Sequence, residues 1–514
     1  MSTFHGLEMA KQALFTQQSA LYTTGHNISN ANTEGYTRQR VNFESLSPYP
    51  TASRNRPEIP GQMGTGVEAG TVERVRDKFL DMQFRAENSK SGYWEALSAS
   101  TDRMERLLNE PSESGLSKSM DQLWQSLQDL SVNPENSGAR SVVVQRGVAL
   151  AESFNYTSDS LESIRSDLKN ETDVTVKNAN SLLEQISGIN NQIKQIEPHG
   201  YLANDLYDER DRLVDELSGI VNINVNYSKS GGNAPEIADG LATIKLADKN
   251  GKPTDTLLEG NADEGVFNQL SINYSDVDGE RSAVTGIGVG DDKVVSVEEF
   301  ISNGSLKGNI EAYGYTSEDN AGNSTVKGLY TDMLSNIDDM VVEFSNAFNG
   351  VHSGGEDLQG QTGQDFFVNG DSEGAPITAS TIAVNAAIQD DPDLVAASDE
   401  DGASGNGNNA IELAGVFDAD LQGLGDNTTV RSYYESLIGD LGVVAQEANR
   451  MTSNTGILRS QVEEQRQSVS SVSLDEEMSN MIKFQHAYSA AARNMTAVDE
   501  LIDRVINNMG LVGR

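Results

Sequence analysis

Leu7, Leu14, Leu21 and Ile28 recur every seven residues, with Ala10 between the first two. At the other end Met481, Tyr488, Met495, Ile502 and Met509 keep the same interval, with Met478, Ala492, Val498 and Val505 nearby. A seven-residue apolar repeat lays one stripe along one helix face, which is how coiled-coil seams are made. The spacing predicts a helix at each end. Ser473-Leu474-Asp475-Glu476 reads as a capping box opening the second helix, and Asp475, Glu476 and Glu477 in its first turn suit the helix dipole. Such helices are marginal alone. The nearest partner for each is the other, which would bring the chain ends together as a coiled coil; the alternative is that each packs on a separate globular core.

More heptads lie inside the ends. Phe154, Leu161, Leu168, Leu182, Ile189 and Ile196 share one register, interrupted at Thr175. Leu334, Ile337, Val341, Phe344 and Phe348 follow a 3-4 pattern, as do Leu437, Leu441, Val444, Ala448, Met451, Leu458 and Val462. Met104 to Leu130 is a further helix candidate, interrupted at Pro111 and ending near Asn133-Pro134. Residues 221–325 change texture: alternating runs such as Val221 to Val225 and Ala242 to Leu246 are separated by Gly/Asn/Asp/Ser turns, the grammar of strands. The stretch 353–428 is loop-rich, with a short strand candidate at Thr381 to Asn385. The fold class expected is mainly α with inserted β: an elongated multidomain chain with terminal helices paired as a coiled coil, a central α-helical bundle and a β-rich outer domain. Its divisions fall at 1–45 and 471–514 for the terminal pair, 46–220 and 326–470 for the bundle, and 221–325 for the β-rich domain.

Charge sharpens this division. The 514 residues hold 78 acids against 37 lysines and arginines, a net −41. Residues 1–45 sum to zero and 470–514 to −2, so −39 sits in the interior. Near-neutral ends can pack against copies of themselves without strong like-charge repulsion, while the acidic interior suits a hydrated surface kept apart from others. A net charge of this sign argues against nucleic acid or anionic lipid as partner. No stretch approaches the ~20 apolar residues of a spanning helix, and the first ten residues lack the basic and apolar regions of an ordinary signal peptide.

Few residues of the chain are arranged for chemistry. With no cysteines, disulfides, thiolate metal sites and cysteine nucleophiles are excluded. His5, His26, His199, His352 and His486 are scattered without metal spacing. Gly370-Asp371-Ser372-Glu373-Gly374 matches a nucleophile-elbow pattern, but Ala375-Pro376 follows in a turn-like setting where a helix is needed. Asp276-Val277-Asp278-Gly279 and Asp399-Glu400-Asp401-Gly402 place Tyr274 or Ala397 where a calcium loop needs its first acid, so both read as solvated turns. No catalytic, cofactor-binding or metal-ligating residues are assigned, and no cofactor is expected.

The run Gly25 to Gln39, with Asn27, Asn30, Ala31, Asn32, Gly35, Tyr36 and Arg38, resembles the N-terminal signature of bacterial flagellar rod, hook and hook-associated proteins. Glu34 stands where that family usually has Pro. Gly64 to Asp81, Asn204 to Val214, Asn346 to Phe367 and the ending Ser473 to Arg514 are similar to the hook-associated members, in the same order along the chain. The resemblance implies a structural protein at the hook–filament junction. Its terminal helices would pair as an inner tube domain, with Leu7, Leu14, Leu21, Ile28, Met481, Tyr488, Met495 and Ile502 as the self-assembly seam. It also implies a homo-oligomeric ring, the hook protein and a second junction protein as neighbours, an export chaperone on the C-terminal helix, and type III export without a cleaved signal peptide. A hook or rod subunit, or a secreted protein with activity in 221–325, are the alternatives.

Overall fold

The structure, a computed structural model, describes residues 4–50, 54, 61–108, 115–248, 250–263, 265–275, 282–291, 293–300, 302–318, 324–372, 374–399 and 405–508. Pro111, Asp276 to Gly279, Glu373, Glu400 to Gly402 and Met509 lie outside them.

Helix α1 (Phe4–Ser29) is followed by the antiparallel pair β1 (Gln39–Ser45) and β2 (Val67–Arg74), with a bulge at Asn42/Phe43. Then come α2 (Lys78–Leu107), α3 (Leu116–Val132), α4 (Ser137–Ile196) and α5 (Asn204–Ile220). Two small sheets follow. One orders β3 (Ile223–Ser228), β4 (Leu241–Ala247) and β5 (Pro253–Leu258). The other contains β6 (Leu270–Ser275), β7 (Ala283–Val289), β8 (Lys293–Val295), β9 (Tyr315–Glu318) and β10 (Ser324–Lys327), in the order β10-β9-β7-β6 with β8 also on β7. Helix α6 (Ser305–Tyr313) lies between β8 and β9. The chain returns through α7 (Leu329–Gly354), the pair β11 (Phe367–Asn369) and β12 (Ile382–Val384), the short α8 (Ala386–Asp390) and α9 (Asn408–Gly415), and ends in α10 (Val430–Ser470) and α11 (Leu474–Asn508).

Helix α4 is the spine. At 1.5 Å per residue its 60 residues extend about 90 Å. Thr175 does not interrupt it. A straight helix drifts about 20° per heptad against a strict seven-residue repeat, so the buried stripe slides. Phe154, Leu161 and Leu168 are buried at the start; Thr172, Val176 and Ala179 carry the stripe past Thr175; Leu183, Ile186 and Ile193 are the most deeply buried at the end. The same drift corrects the α10 pattern. Leu437, Leu441 and Ala448 are buried together with Ala445 and Thr455, whereas Val444 and Leu458 face solvent, because α10 packs mainly along one neighbour, α2. All five apolar positions of α7 are buried, and Phe344 and Phe348 stack with Phe366, Phe367 and Phe417.

Three elements depart from expectation. The β1–β2 pair occupies a stretch expected to be helical or connecting, and α6 occupies part of the segment expected to be strands. α6 is pressed between α2, α4 and α5. Gly92 on α2 makes this approach close: a Cβ there would stand 2.2 Å from Gly219 O and 3.3 Å from Ser305 N. Both neighbours are backbone, so nothing small can yield. Gly92→Ala is expected to lower unfolding free energy by at least about 2 kcal/mol, visible as a reduced urea midpoint at constant slope. The third departure is the capping box. Ser473 Oγ lies 3.5 Å from Glu476 N, but the Glu476 carboxylate turns to Arg38 instead of back to the Ser473 amide.

At the end of α7, His352 is fully buried, its Nδ1 against Gln364 O and its Nε2 accepting from Ala396 N–H at 3.0 Å. Arg140 lies beside it and donates to the carbonyls of Pro134, Asp393 and Val395. Burial lowers the His352 pKa to about 4, and Arg140 adds to this against the hydrogen bond to Gln364. Because the folded value is below the unfolded one near 6.5, the neutral ring's contribution is complete above pH 6.5 and is lost as pH falls towards 4. It amounts to about 3 kcal/mol. Urea titrations of wild type and His352→Gln should therefore show a difference in pH dependence confined to that window.

Candidate assembly interface

Helices α1 and α11 pack against each other, bringing the two chain ends together. A Cβ on Gly6 would lie 3.5 Å from Val498 Cγ2, and Asn27 Nδ2 donates to Glu477 Oε2 at 3.1 Å, so the helices run antiparallel. On α11 the column Met481, Tyr488, Met495 and Ile502 lies with Glu477, Phe484, Ala491 and Val498 on the less exposed side. Ile502 and Glu477 are the buried members, and Phe484 meets Phe43 of β1 edge-on at 5.9 Å. On α1 the contact centres on a small-residue column, Gly6, Ala13, Ala20 and Asn27. Leu7, Leu14, Leu21 and Ile28 sit on its shoulder and remain half-buried. Beyond them Phe15 and Tyr22 are exposed, at 55% and 79%. The other flank of α1 rests on the β1–β2 pair: Thr16 donates to Val67 O, and Met9 crowds Gly66.

The chain leaves α1 through a dense polar clasp. Asn30 Nδ2 and its own amide both donate to His26 O at 3.1 Å, satisfying a terminal helix carbonyl. Ala31, Asn32 and Thr33 turn the chain, and Gly35 has φ +78°, a left-handed conformation, packed over Arg212. Tyr36 folds back so that its hydroxyl donates to Asn27 Oδ1 at 2.8 Å, with His26 Nδ1 2.9 Å away. Burial, with Asp205, Asp208 and Glu477 nearby, raises the Tyr36 pKa and keeps the phenol a donor. Asn27 is 1% exposed and uses its whole capacity: it also accepts from Gln39 N at 3.0 Å and donates to Gln39 O at 2.8 Å. Arg38 closes the clasp. Its Nε donates to Glu477 Oε1 at 2.8 Å, its guanidinium pairs with Glu476 at 2.9 Å, and its amide donates to Ser470 O at 2.9 Å. Thus the signature residues Asn27, Tyr36 and Arg38 bind both chain ends, whereas Asn32 points outward.

Behind the clasp lies a lattice of buried charge. Asp208, Asp211 and Asp215 project from one face of α5. Asp211 accepts from Arg74 at 2.9 Å and Arg85 at 3.4 Å, and is ion-paired with Arg76 at 3.5 Å. Asp208 pairs with Arg74 at 2.7 Å and accepts from Thr37 N at 3.0 Å; Asp215 pairs with Arg85 at 2.7 Å and also with Arg466 of α10. Burial alone would raise the Asp211 pKa, but Arg76, Arg74, Arg85 and Arg210 outweigh it and hold the carboxyl well below the usual range. The lattice ties the β1–β2 pair, α2, α5 and α10 to the base of the terminal helices. Arg74, Arg76, Arg85 and Arg466 are each ion-paired here, a connection suited to bearing load.

Comparison with known proteins places these elements. Residues 101–367 match the family described as flagellar hook-associated protein FlgK helical domain. Flagellar hook-associated protein 1 of Bacillus subtilis is 47% identical over 515 residues, covering all of both chains. This chain belongs to the flagellar hook-associated protein 1 family. The Escherichia coli member is 25% identical, covering 97% of this chain and 98% of its own length. The fold resembles the solved flagellar hook junction protein FlgK from Burkholderia pseudomallei, with TM-score 0.57 and 13% identity, covering 76% of this chain and all of that one. Residues 7–37 match the flagella basal body rod protein family, and 463–509 the C-terminal family of the rod proteins FlgEFG. The chain thus shares with the rod protein families segments that include the two terminal helices and most of the clasp. The chain is a structural component of the bacterial flagellum.

Sequence reading does not reach three parts of this interface: the small-residue column of α1, the burial of Glu477 and the charge lattice. The aspartates of α5 recur every three to four residues, a legible stripe. Only the alternation of Arg74 and Arg76, at the end of β2 and just beyond it, hints that the stripe is covered.

Proposed function

We propose that the chain forms a homo-oligomeric ring between hook and filament. One face of the ring packs on the hook protein, and the other seats a second junction protein and templates filament assembly. The observation that carries this reading is the paired terminal helices: the chain ends that hold them carry little net charge, and α1 keeps Leu7, Leu14, Leu21 and Ile28 half-exposed beside Phe15 and Tyr22. Apolar surface of this extent beside an intrachain helix pair is what a neighbouring copy would cover. The division into an inner pair (1–45, 471–514), a surrounding bundle and a β-rich outer part is the corresponding division of labour. The role is mechanical, without catalysis. Ser372 sits in a turn where Asn369 Oδ1 accepts from Asp371 N and Ser372 N, and the described residues 374–381 hold no helix, unlike a nucleophile elbow.

No described helix is long and apolar enough to cross a membrane. Export through the flagellar type III channel without a cleaved signal peptide, with a chaperone covering the exposed Met478 and Ile482 side of α11, completes the proposal. Electron microscopy of cells deleted for the gene, with a check for flagellin in the medium, tests it. Hooks without filaments and flagellin shed outside are expected. Absent hooks would point to a rod or hook subunit, and intact flagella would overturn the junction role and turn attention to activity in 221–325.

A further inference from the structure

The α1–α11 contact is built from two repeating columns, and each contains one polar residue. On α1 the column reads Gly6, Ala13, Ala20, Asn27; on α11 it reads Glu477, Phe484, Ala491, Val498, with Val505 one heptad further. The contacts Gly6–Val498 and Asn27–Glu477 are separated by three heptads on both helices, so one register joins them. Small residues on one side and a constant seven-residue interval on the other leave registers one heptad apart open to apolar packing: in the two slips Ala491 meets Gly6 or Ala20, and Phe484 or Val498 meets Ala13. Sliding α11 one heptad either way sets Glu477 against Ala20 or beyond the end of α1, and removes it from Asn27. The flanking column Ala10, Gln17, Thr24 does not supply the choice, since Gln17 Oε1 has no hydrogen-bond partner even here.

We propose that the Asn27–Glu477 pair is the register key of the terminal helices, selecting one axial offset from several that apolar packing alone would accept. Glu477 is 2% exposed and Asn27 1%, and their remaining capacity is taken by Arg38, Tyr36 and Gln39, so the key works only when the N-terminal loop is folded over it. A buried charge deprived of its partners is strongly unfavourable, and this outweighs the single edge-on Phe43–Phe484 contact that a slip also gives up. The two residues lie 450 positions apart, so the N-terminal signature completes its hydrogen bonds only when the C-terminal helix is present and correctly aligned. In a ring, one offset per subunit would hold every Leu7–Ile28 face at the same height. That consequence rests on the assembly reading above, but the register itself is a property of the single chain.

The cysteine-free chain permits a direct test. Three double variants of the full-length protein are oxidised in a glutathione buffer: Gly6→Cys with Val498→Cys for the observed register, and Gly6→Cys with Ala491→Cys or Val505→Cys for the slipped ones. In the parent background the first pair should cross-link and the slipped pairs should reach no more than about a tenth of its yield. Adding Glu477→Leu should raise the slipped yields about tenfold, while Glu477→Gln, which keeps an acceptor for Asn27, should not. Slipped yields unmoved by Glu477→Leu would overturn the inference. So would disappearance of the first cross-link with no rise in the others, the signature of a merely stabilising interaction, or equal yields of all three in the parent. None of these outcomes bears on whether the protein sits at the junction, which the deletion experiment decides separately.

Discussion

Asp211→Asn should destabilise the body of the molecule by about 3–5 kcal/mol, because it withdraws one buried charge that three arginines share. Arg74, Arg76 and Arg85 converge on Asp211 from β2, the strand exit and α2, and its side chain is 3% exposed. Asn keeps the shape and some hydrogen bonds but leaves the guanidinium groups with Asp208, Asp215, Asp239 and Asp81 only. Excess positive charge in a buried site is what makes removal of one partner so much more damaging than loss of a surface pair. The two tryptophans, Trp94 and Trp124, lie on α2 and α3 and so report on this part of the chain in urea unfolding. Asp205→Asn, nearly two turns earlier on α5 with a side chain 71% exposed, is the matched control and should change stability by less than about 0.5 kcal/mol. Acid adds a second signature. A carboxylate whose folded pKa is depressed contributes stability above its unfolded value near 4 and loses it as pH falls further. Wild type should lose stability below about pH 4 in part through Asp211, and the variant should lack that part.

The lattice also shows where reading the sequence stops. Helices are legible because their signal is repetitive: α1, α4, α7, α10 and α11 each present several apolar residues at one interval, and each forms. What the interval does not reveal is which neighbour a stripe meets. Leu7, Leu14, Leu21 and Ile28 are the more conspicuous stripe on α1, yet the column that faces α11 is Gly6, Ala13, Ala20 and Asn27, with Gly6 close to Val498 and Asn27 bonded to Glu477. Small residues have no hydropathy signal, so the shoulder reads as the seam. Buried polar groups are invisible for the related reason that sequence assigns charge to the surface. Glu477 reads as a helix-dipole residue in a first turn, and nothing in the sequence marks Asp208, Asp211 and Asp215 as buried; only partners far away along the chain bury them. The β1–β2 pair is missed because its alternation is short and one of its strands carries a bulge. The signature Gly25 to Gln39 compensates for much of this, since it marks the clasp as a unit. The hydrogen bonds around Asn27 then give each residue type a physical reason.

Leu21→Asp is expected to abolish incorporation of the protein into hook–filament junctions while leaving the body folded. Leu21 lies on the half-exposed shoulder of α1, next to Tyr22 and away from the lattice. Within one chain the new carboxylate can turn to water, so the tryptophan-monitored urea transition should move by less than about 1 kcal/mol. In an assembly the same face must be covered. There the substitution removes about 1.5–3 kcal/mol of side-chain burial, and it also obliges every subunit to bury an unpaired charge, which costs several kcal/mol more. Because a ring repeats the interface at each subunit, the penalty recurs around it, and even a modest weakening of each interface prevents closure. Export must be separated from assembly for the result to be read. The variant should appear in the medium at wild-type levels, with hooks bearing no filament. Normal junctions containing Leu21→Asp would remove the leucine shoulder from the assembling surface, and would leave the exposed Leu474, Met478 and Ile482 side of α11 as the face to test next.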